Sequence, residues 1–296
     1  MKLENVVGVC IGNKVINGIN TFEICINVLV KNKINIKYLS ENNVIPKSYM
    51  GIKTDVIEVG ILKHYMDDRI VGKFRPLVSG CQIDVKDYKG NYSMGTLGGI
   101  VYKTVDEKKE YYILSNNHVL CNYGEFPIGT PIIQSDSENY DDIVAHLTTF
   151  VPIKLSKEND ENDEYLNSVD AGIAKLTSKE LVSTSVSRIG KISGIGNAKL
   201  GDIVRKVGAI SGVTHGSVIG LGGTVDFGYS DEEYMIFKDQ IFLGIEGSPG
   251  DSGALVFNEK NEVIGMLMGG DDIINKAFVN DINIVLNELK VNLYID

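Results

Sequence analysis

The stretch Gly247-Ser248-Pro249-Gly250-Asp251-Ser252-Gly253-Ala254-Leu255-Val256 decides the reading of this chain. A serine hydroxyl is a poor nucleophile unless a tight turn holds it exposed and a neighbour takes its proton. Here Ser252 lies in a turn-forming run that opens into an apolar strand. Gly250 lets the backbone turn so that its N–H and that of Ser252 can aim at one point. Two such donors make an oxyanion hole, and losing one costs about 10²–10³ in turnover. Gly253 brings no side chain to crowd the entry to the next strand. A glycine-rich hairpin turn without chemistry would have a similar composition. The segment therefore sets a requirement: the rest of the chain must supply a base and a group that orients it.

The best base is His118, in Tyr111-Tyr112-Ile113-Leu114-Ser115-Asn116-Asn117-His118-Val119-Leu120. An apolar strand ends there in small polar residues, which puts the imidazole at a strand edge rather than in a core. His64, His146 and His215 have no such setting. The best orienter is Asp170, in Asn167-Ser168-Val169-Asp170-Ala171-Gly172-Ile173-Ala174-Lys175-Leu176. An acid opening an apolar strand is an odd place for a solvated carboxylate, although a turn or cap aspartate would read alike. No GxxxxGK[ST] phosphate loop and no HExxH metal motif occurs in the chain. Neither a metal nor an organic cofactor is expected.

The three segments, in the order His, Asp, Ser, resemble the trypsin/chymotrypsin-like serine peptidases, whose mechanism is a worked template of nucleophilic catalysis. The resemblance spans about Phe74 to Asp296, and its strongest motif is the tetrapeptide Gly250 to Gly253. It is closest to bacterial members that carry a small N-terminal extension and lack secretion signals. It implies a mainly β fold of two six-stranded antiparallel barrels. Residues 76–181 would form the first, with His118 and Asp170, and 182–296 the second, with Ser252 and a C-terminal helix. Residues 1–75 would be a small mixed α/β segment. The implied reaction is peptide hydrolysis through an acyl-enzyme, with catalytic His118, Asp170 and Ser252 and an oxyanion hole at Gly250 and Ser252. A peptidase fold that binds peptides without turnover is the alternative. The GxSxG elbow of α/β-hydrolases is not matched, since Ala254 stands at its second glycine.

Met268, Gly269 and Gly270 fall on the strand that pairs with substrate backbone in the family. A serine usual at the place of Met268, which helps hold the aspartate, is missing. Glu246, six positions before Ser252, falls at the floor of the primary specificity pocket, which leads to an expected preference for Lys or Arg on the acyl side. Lys276 is near enough in sequence to neutralise it. In the secreted relatives a freed N-terminal amine pairs with the acid before the serine, here Asp251. Arg69-Ile70-Val71-Gly72 is the one run that resembles such an activation site, although a permanent N-terminal appendage is the simpler reading.

Composition bounds the partners. Of 296 residues, 43% are hydrophobic and 23% charged, an ordinary globular balance. Twenty-nine basic residues against 39 acidic leave a formal net charge of −10. That argues against nucleic acid and anionic membranes, which require clustered cations, and leaves a polypeptide as the expected partner. No run approaches the roughly 18 apolar residues of a membrane helix, and Val6–Ile11 lacks the basic start of a signal peptide. A cytoplasmic location is expected. Cys10, Cys25, Cys81 and Cys121 form no CxxC pair and read as free, packed thiols. The acidic stretch 156–165 reads as a solvated loop.

Overall fold

Short runs rich in Val, Ile, Thr and Tyr, split by Gly, Asn and Asp, become strands in the computed structural model. It describes residues 3, 5–16, 19–59, 69–134, 142–157, 165–230, 232–271 and 275–295. Most of the acidic stretch 156–165, and His64, lie outside the described residues. The chain divides into two units, Met1–Met66 and Asp67–Asp296.

In the first unit, Val6–Ile16 and Ile19–Val30 pair antiparallel. Ile52–Glu58 runs parallel to Ile19–Val30, and Ser48–Tyr49 pairs on its far side. The helical part of the mixed α/β segment expected over residues 1–75 takes the form of two 3₁₀ turns, Ile36–Tyr38 and Glu41–Asn43. Asn35 caps the first turn by accepting from the Lys37 amide. Pro46 then bars a longer helix.

The second unit holds, among the described residues, two large sheets and a two-stranded pair, Ser185–Val186 with Gly190–Lys191. The first runs in the order Asn292–Leu293, Gly99–Val105, Lys108–Ser115, Gly172–Leu176, Ile143–Phe150, Pro131–Ile133, Gln82–Lys86 and Tyr92–Thr96. In the second, six strands close on themselves. Glu233–Ile245 pairs with Gly212–Gly228, which pairs with Ile203–Gly208, then Leu255–Asn258, Glu262–Asp271 and Lys276–Asp281, and the last returns to Glu233–Ile245. Every pairing in this ring is antiparallel, and closure removes the exposed edges of an open sheet.

Three short strands pair across the order of the chain. Ser156–Lys157 and Leu166–Asn167 join the second sheet at Glu233–Ile245, and the last strand, Asn292–Leu293, joins the first at Gly99–Val105. The helix Ile282–Leu289 prepares that return. Its Ile282, Val285, Leu286 and Leu289 follow the helical period and are buried with residues of the first sheet. Asp281 caps its start by accepting from the Asn283 amide, and Lys290 ends it in the left-handed conformation.

All four cysteines are free. Cys25, Cys81 and Cys121 are buried as expected, but Cys10 is exposed, because its strand presents it to solvent rather than to a core. No helix among the described residues is long and apolar enough to cross a membrane.

Candidate active site

The His118 segment forms as its composition suggests. The strand Lys108–Ser115 ends at Asn116, and a single helical turn, Asn117–Cys121, carries the imidazole. Buried Asn116 and Asn117 anchor the turn through their amides: Asn116 Nδ2 donates to the Asp170 carbonyl and Asn117 Nδ2 to that of Val151, both at 2.7 Å. Asp170 contacts His118 at two points. Its Oδ1 accepts from the His118 backbone N–H at 3.1 Å, and its Oδ2 lies 2.5 Å from Nδ1. Burial disfavours a charged imidazole, but the charge and hydrogen bond of Asp170 outweigh it and hold His118 above the ordinary value of 6.5. Tyr123 stacks on the ring at 5.9 Å.

Met268 leaves Asp170 without the expected serine, and other groups position it. The Asp170 backbone N–H donates to Asn280 Oδ1 at 3.0 Å, and Asn280 is held in turn by donating to Gln240 Oε1 at 2.6 Å. Both amides are fully buried. Sequence reasoning missed Asn280 and Gln240. Each lies on an apolar strand of the second sheet, and a polar residue in that setting is the signal that could have found them.

Ser252 stands on the turn between Gly250 (φ +99°) and Gly253 (φ +94°), two left-handed positions suited to glycine. Thr96 ties this turn to the first sheet. Its N–H donates to the Ser252 carbonyl at 2.8 Å and its hydroxyl to the Gly250 carbonyl at 2.9 Å. Gly95 lies between Ser252 and the helical turn of His118: an added Cβ would stand 2.6 Å from the Val119 methyls and 3.1 Å from the Ser252 carbonyl oxygen. Gly95→Ala is therefore expected to cost about 1–3 kcal/mol, as overpacking does, and to lower kcat/KM. Thermal unfolding and peptide hydrolysis on the same preparation check both.

The structure brings His118 and Asp170 into contact, but it does not join Ser252 to His118. The Ser252 hydroxyl donates instead to the Met268 carbonyl at 3.2 Å. The backbone N–H groups of Gly250 and Ser252 donate to no protein acceptor among the described residues. Gly269 and Gly270 line a cavity of about 180 Å³ beside Ser252. Met268 does not: its side chain packs with Met235 and Phe237 in the core, and only its carbonyl reaches the site. Glu246 is exposed and does not line that cavity, and its carbonyl accepts from Thr214 at 2.9 Å.

Asp251 is fully buried and its carboxylate is fully engaged. Oδ1 accepts from the amides of Ile210 and Ser211. Oδ2 accepts from Lys206 Nζ at 2.9 Å, the Ser211 hydroxyl and the Ser248 amide. Burial opposes its ionisation, but Lys206 and the other donors hold the carboxyl below its ordinary value. Lys206 is equally buried, and the loss of water pushes its ammonium below the lysine range against the pull of Asp251. The Ile70 N–H donates to the Ala209 carbonyl at 2.7 Å. The activation site considered at Arg69–Gly72 thus has no vacant carboxylate to meet, since an internal lysine already holds it.

Fold and site together define a chymotrypsin-like β-protein with a serine on a glycine-bounded turn between its two sheets. The chain belongs to the trypsin-like peptidase family: the model of the trypsin-like peptidase domain matches residues 95–266. Serine protease 2 of Streptomyces fradiae is 35% identical over 79 residues, 27% of this chain and 42% of that relative. The match thus spans about two fifths of the relative's length. Among solved structures, Thermobifida fusca protease A superposes with a TM-score of 0.53 at 18% identity, over 74% of this chain and 98% of that one. Nocardiopsis protease gives 0.51 at 17% identity, over 73% and 97%. These two likenesses concern the fold.

Proposed function

We propose that the chain is a serine endopeptidase in which Ser252 attacks the peptide carbonyl, His118 moves the proton and Asp170 orients the imidazole. One observation carries the reading. The serine turn, with two unused backbone donors, is clamped through Thr96 to the sheet whose end holds the His118–Asp170 pair. With Nδ1 engaged by Asp170, Nε2 is left to accept a proton. The Ser252 hydroxyl leaves the Met268 carbonyl and turns to Nε2 when substrate binds, a tightening common between free and loaded enzymes. As the serine oxygen bonds to carbon, the carbonyl oxygen takes negative charge and is met by the Gly250 and Ser252 amides. His118 then gives its proton to the leaving amine, and water repeats the cycle on the acyl-enzyme.

Gly269–Asp271 pair on one side with Lys276–Phe278, and the opposite edge is open to substrate backbone among the described residues. The preference for Lys or Arg rested on Glu246, and with that carboxylate outside the cavity it has no support. Fluorophosphonate labelling of Ser252 together with peptide hydrolysis tests the reading. An inert serine in a folded protein that still binds peptides would favour the alternative, a binding module without turnover.

The acid limb of activity follows from His118. The base must be neutral, so kcat/KM is expected to fall on acidification with a midpoint above the ordinary histidine value of 6.5. Asp170→Asn removes the charge that raises it. The midpoint should then move to lower pH, while kcat falls by about 10⁴ because the imidazole tautomer is no longer fixed. A pH–rate profile of both proteins checks the shift and its sign.

A further inference from the structure

The only lysine or arginine on the cavity wall beside Ser252, among the described residues, is Lys276. It opens the strand Lys276–Asp281 and pairs with Gly244 across the second sheet. A Cβ added at Gly244 would stand 3.6 Å from Lys276 Nζ, so the absence of a side chain there makes room for the ammonium. Lys276 is half-buried, and its ammonium makes no hydrogen bond or ion pair among the described residues. An ammonium has three donors and no acceptor, and partial burial without a partner is unfavourable. Of the other wall residues, Gly269, Gly270, Leu267 and Ala277 carry no acceptor side chain, and the Ser248 and Ser252 hydroxyls make no hydrogen bond with the ammonium. Asp271 also borders the cavity and faces Lys276 across the strand pair, but it is exposed and makes no ion pair with Lys276.

We propose that Lys276 selects substrates with Glu or Asp on the acyl side of the scissile bond, the opposite of the preference expected from Glu246. The inference rests on the peptidase reading and names the substrate class of that same site. A substrate carboxylate entering the cavity meets an ammonium that has no partner among the described residues, and a charge-assisted hydrogen bond in a half-dry cavity is short and strong. A substrate Lys or Arg would meet like charge in the same place. The net charge of −10 repels acidic peptides at long range. That repulsion is screened beyond about 8 Å at physiological salt, so the local contact decides.

The test is kcat/KM on peptides that differ only in the residue on the acyl side: Glu, Gln, Asp, Asn, Leu and Lys. Glu is expected to exceed its isostere Gln by about tenfold or more, and Asp to exceed Asn likewise. The wild-type ratio needs no variant, and it should shrink in 1 M salt. Lys276→Met and Lys276→Gln should each bring the Glu-to-Gln ratio to about one. Lys276→Glu should turn the preference toward Lys. A wild-type enzyme whose Ser252 reacts with fluorophosphonate but which cuts Gln as well as Glu overturns the inference alone. So does a ratio unchanged in both neutral variants. A serine that neither labels nor cuts any of the peptides overturns the peptidase reading, and the inference with it.

Discussion

Ser252→Ala is expected to abolish turnover while leaving the fold intact. The hydroxyl makes one hydrogen bond, to the Met268 carbonyl at 3.2 Å, and the turn that carries it is held by the backbone groups of Gly250 and Ser252 on Thr96. None of those anchors involves the deleted oxygen. Stability should therefore change by no more than about the 0.5–1.5 kcal/mol of an ordinary hydrogen bond. Activity should fall by roughly 10⁴-fold or more, because binding and oxyanion stabilisation survive but no covalent intermediate can form. Thermal unfolding and peptide hydrolysis on one preparation separate the two effects. Full activity in the alanine variant would refute the assignment of Ser252.

Lys206→Met is expected to damage both stability and activity, from a residue that touches no substrate. The substitution leaves the Asp251 carboxylate buried without its counter-charge, and breaking such a pair from one side costs about 3–5 kcal/mol. For a unit of this size that corresponds to roughly 6–20 °C in Tm. Asp251 is also the residue between Gly250 and Ser252, and its carboxylate bonds the Ser211 and Ile210 amides and the Ser248 amide of the same loop. Losing its anchor should misplace both oxyanion donors and lower fluorophosphonate labelling of Ser252 by about 10²-fold or more. The double variant Lys206→Met with Asp251→Asn removes the stranded charge and should recover part of the Tm. Recovery of Tm without recovery of labelling would locate the role of the pair in loop geometry. The sign with pH follows from the depressed carboxyl of Asp251. Its stabilisation is present above the ordinary value of 3.8 and is lost as pH falls through the lower folded value.

Parts of the site were legible because their signals are local. The turn Gly250–Gly253 needs left-handed glycines at both ends, a requirement each residue meets by its own backbone. His118 stands out because Ser115, Asn116 and Asn117 end an apolar strand, and Asp170 because it opens one. The C-terminal helix is legible because Ile284, Leu286 and Leu289 recur near a helical period, although the face it buries is Ile282, Val285, Leu286 and Leu289. Each of these is decided within about ten residues of chain.

Local sequence by itself therefore determined the mainly β character of the chain, the three polar positions set at strand ends and turns, and the order in which they occur. What lies in contact with them only the tertiary structure decided. The partner of Asp251 is Lys206, the support of Asp170 is Asn280 through Gln240, and the clamp on the serine turn is Thr96. Glu246 and Lys276 exchanged places in the same way: counting back from Ser252 put a carboxylate in the cavity, and the pairing of Lys276 with Gly244 put an ammonium there. The physical reason is common to all of these. Propensity, turn chemistry and capping act over a few bonds, whereas the burial of a charge or an amide is settled by strands far apart in sequence whose registers are set only when the sheets close.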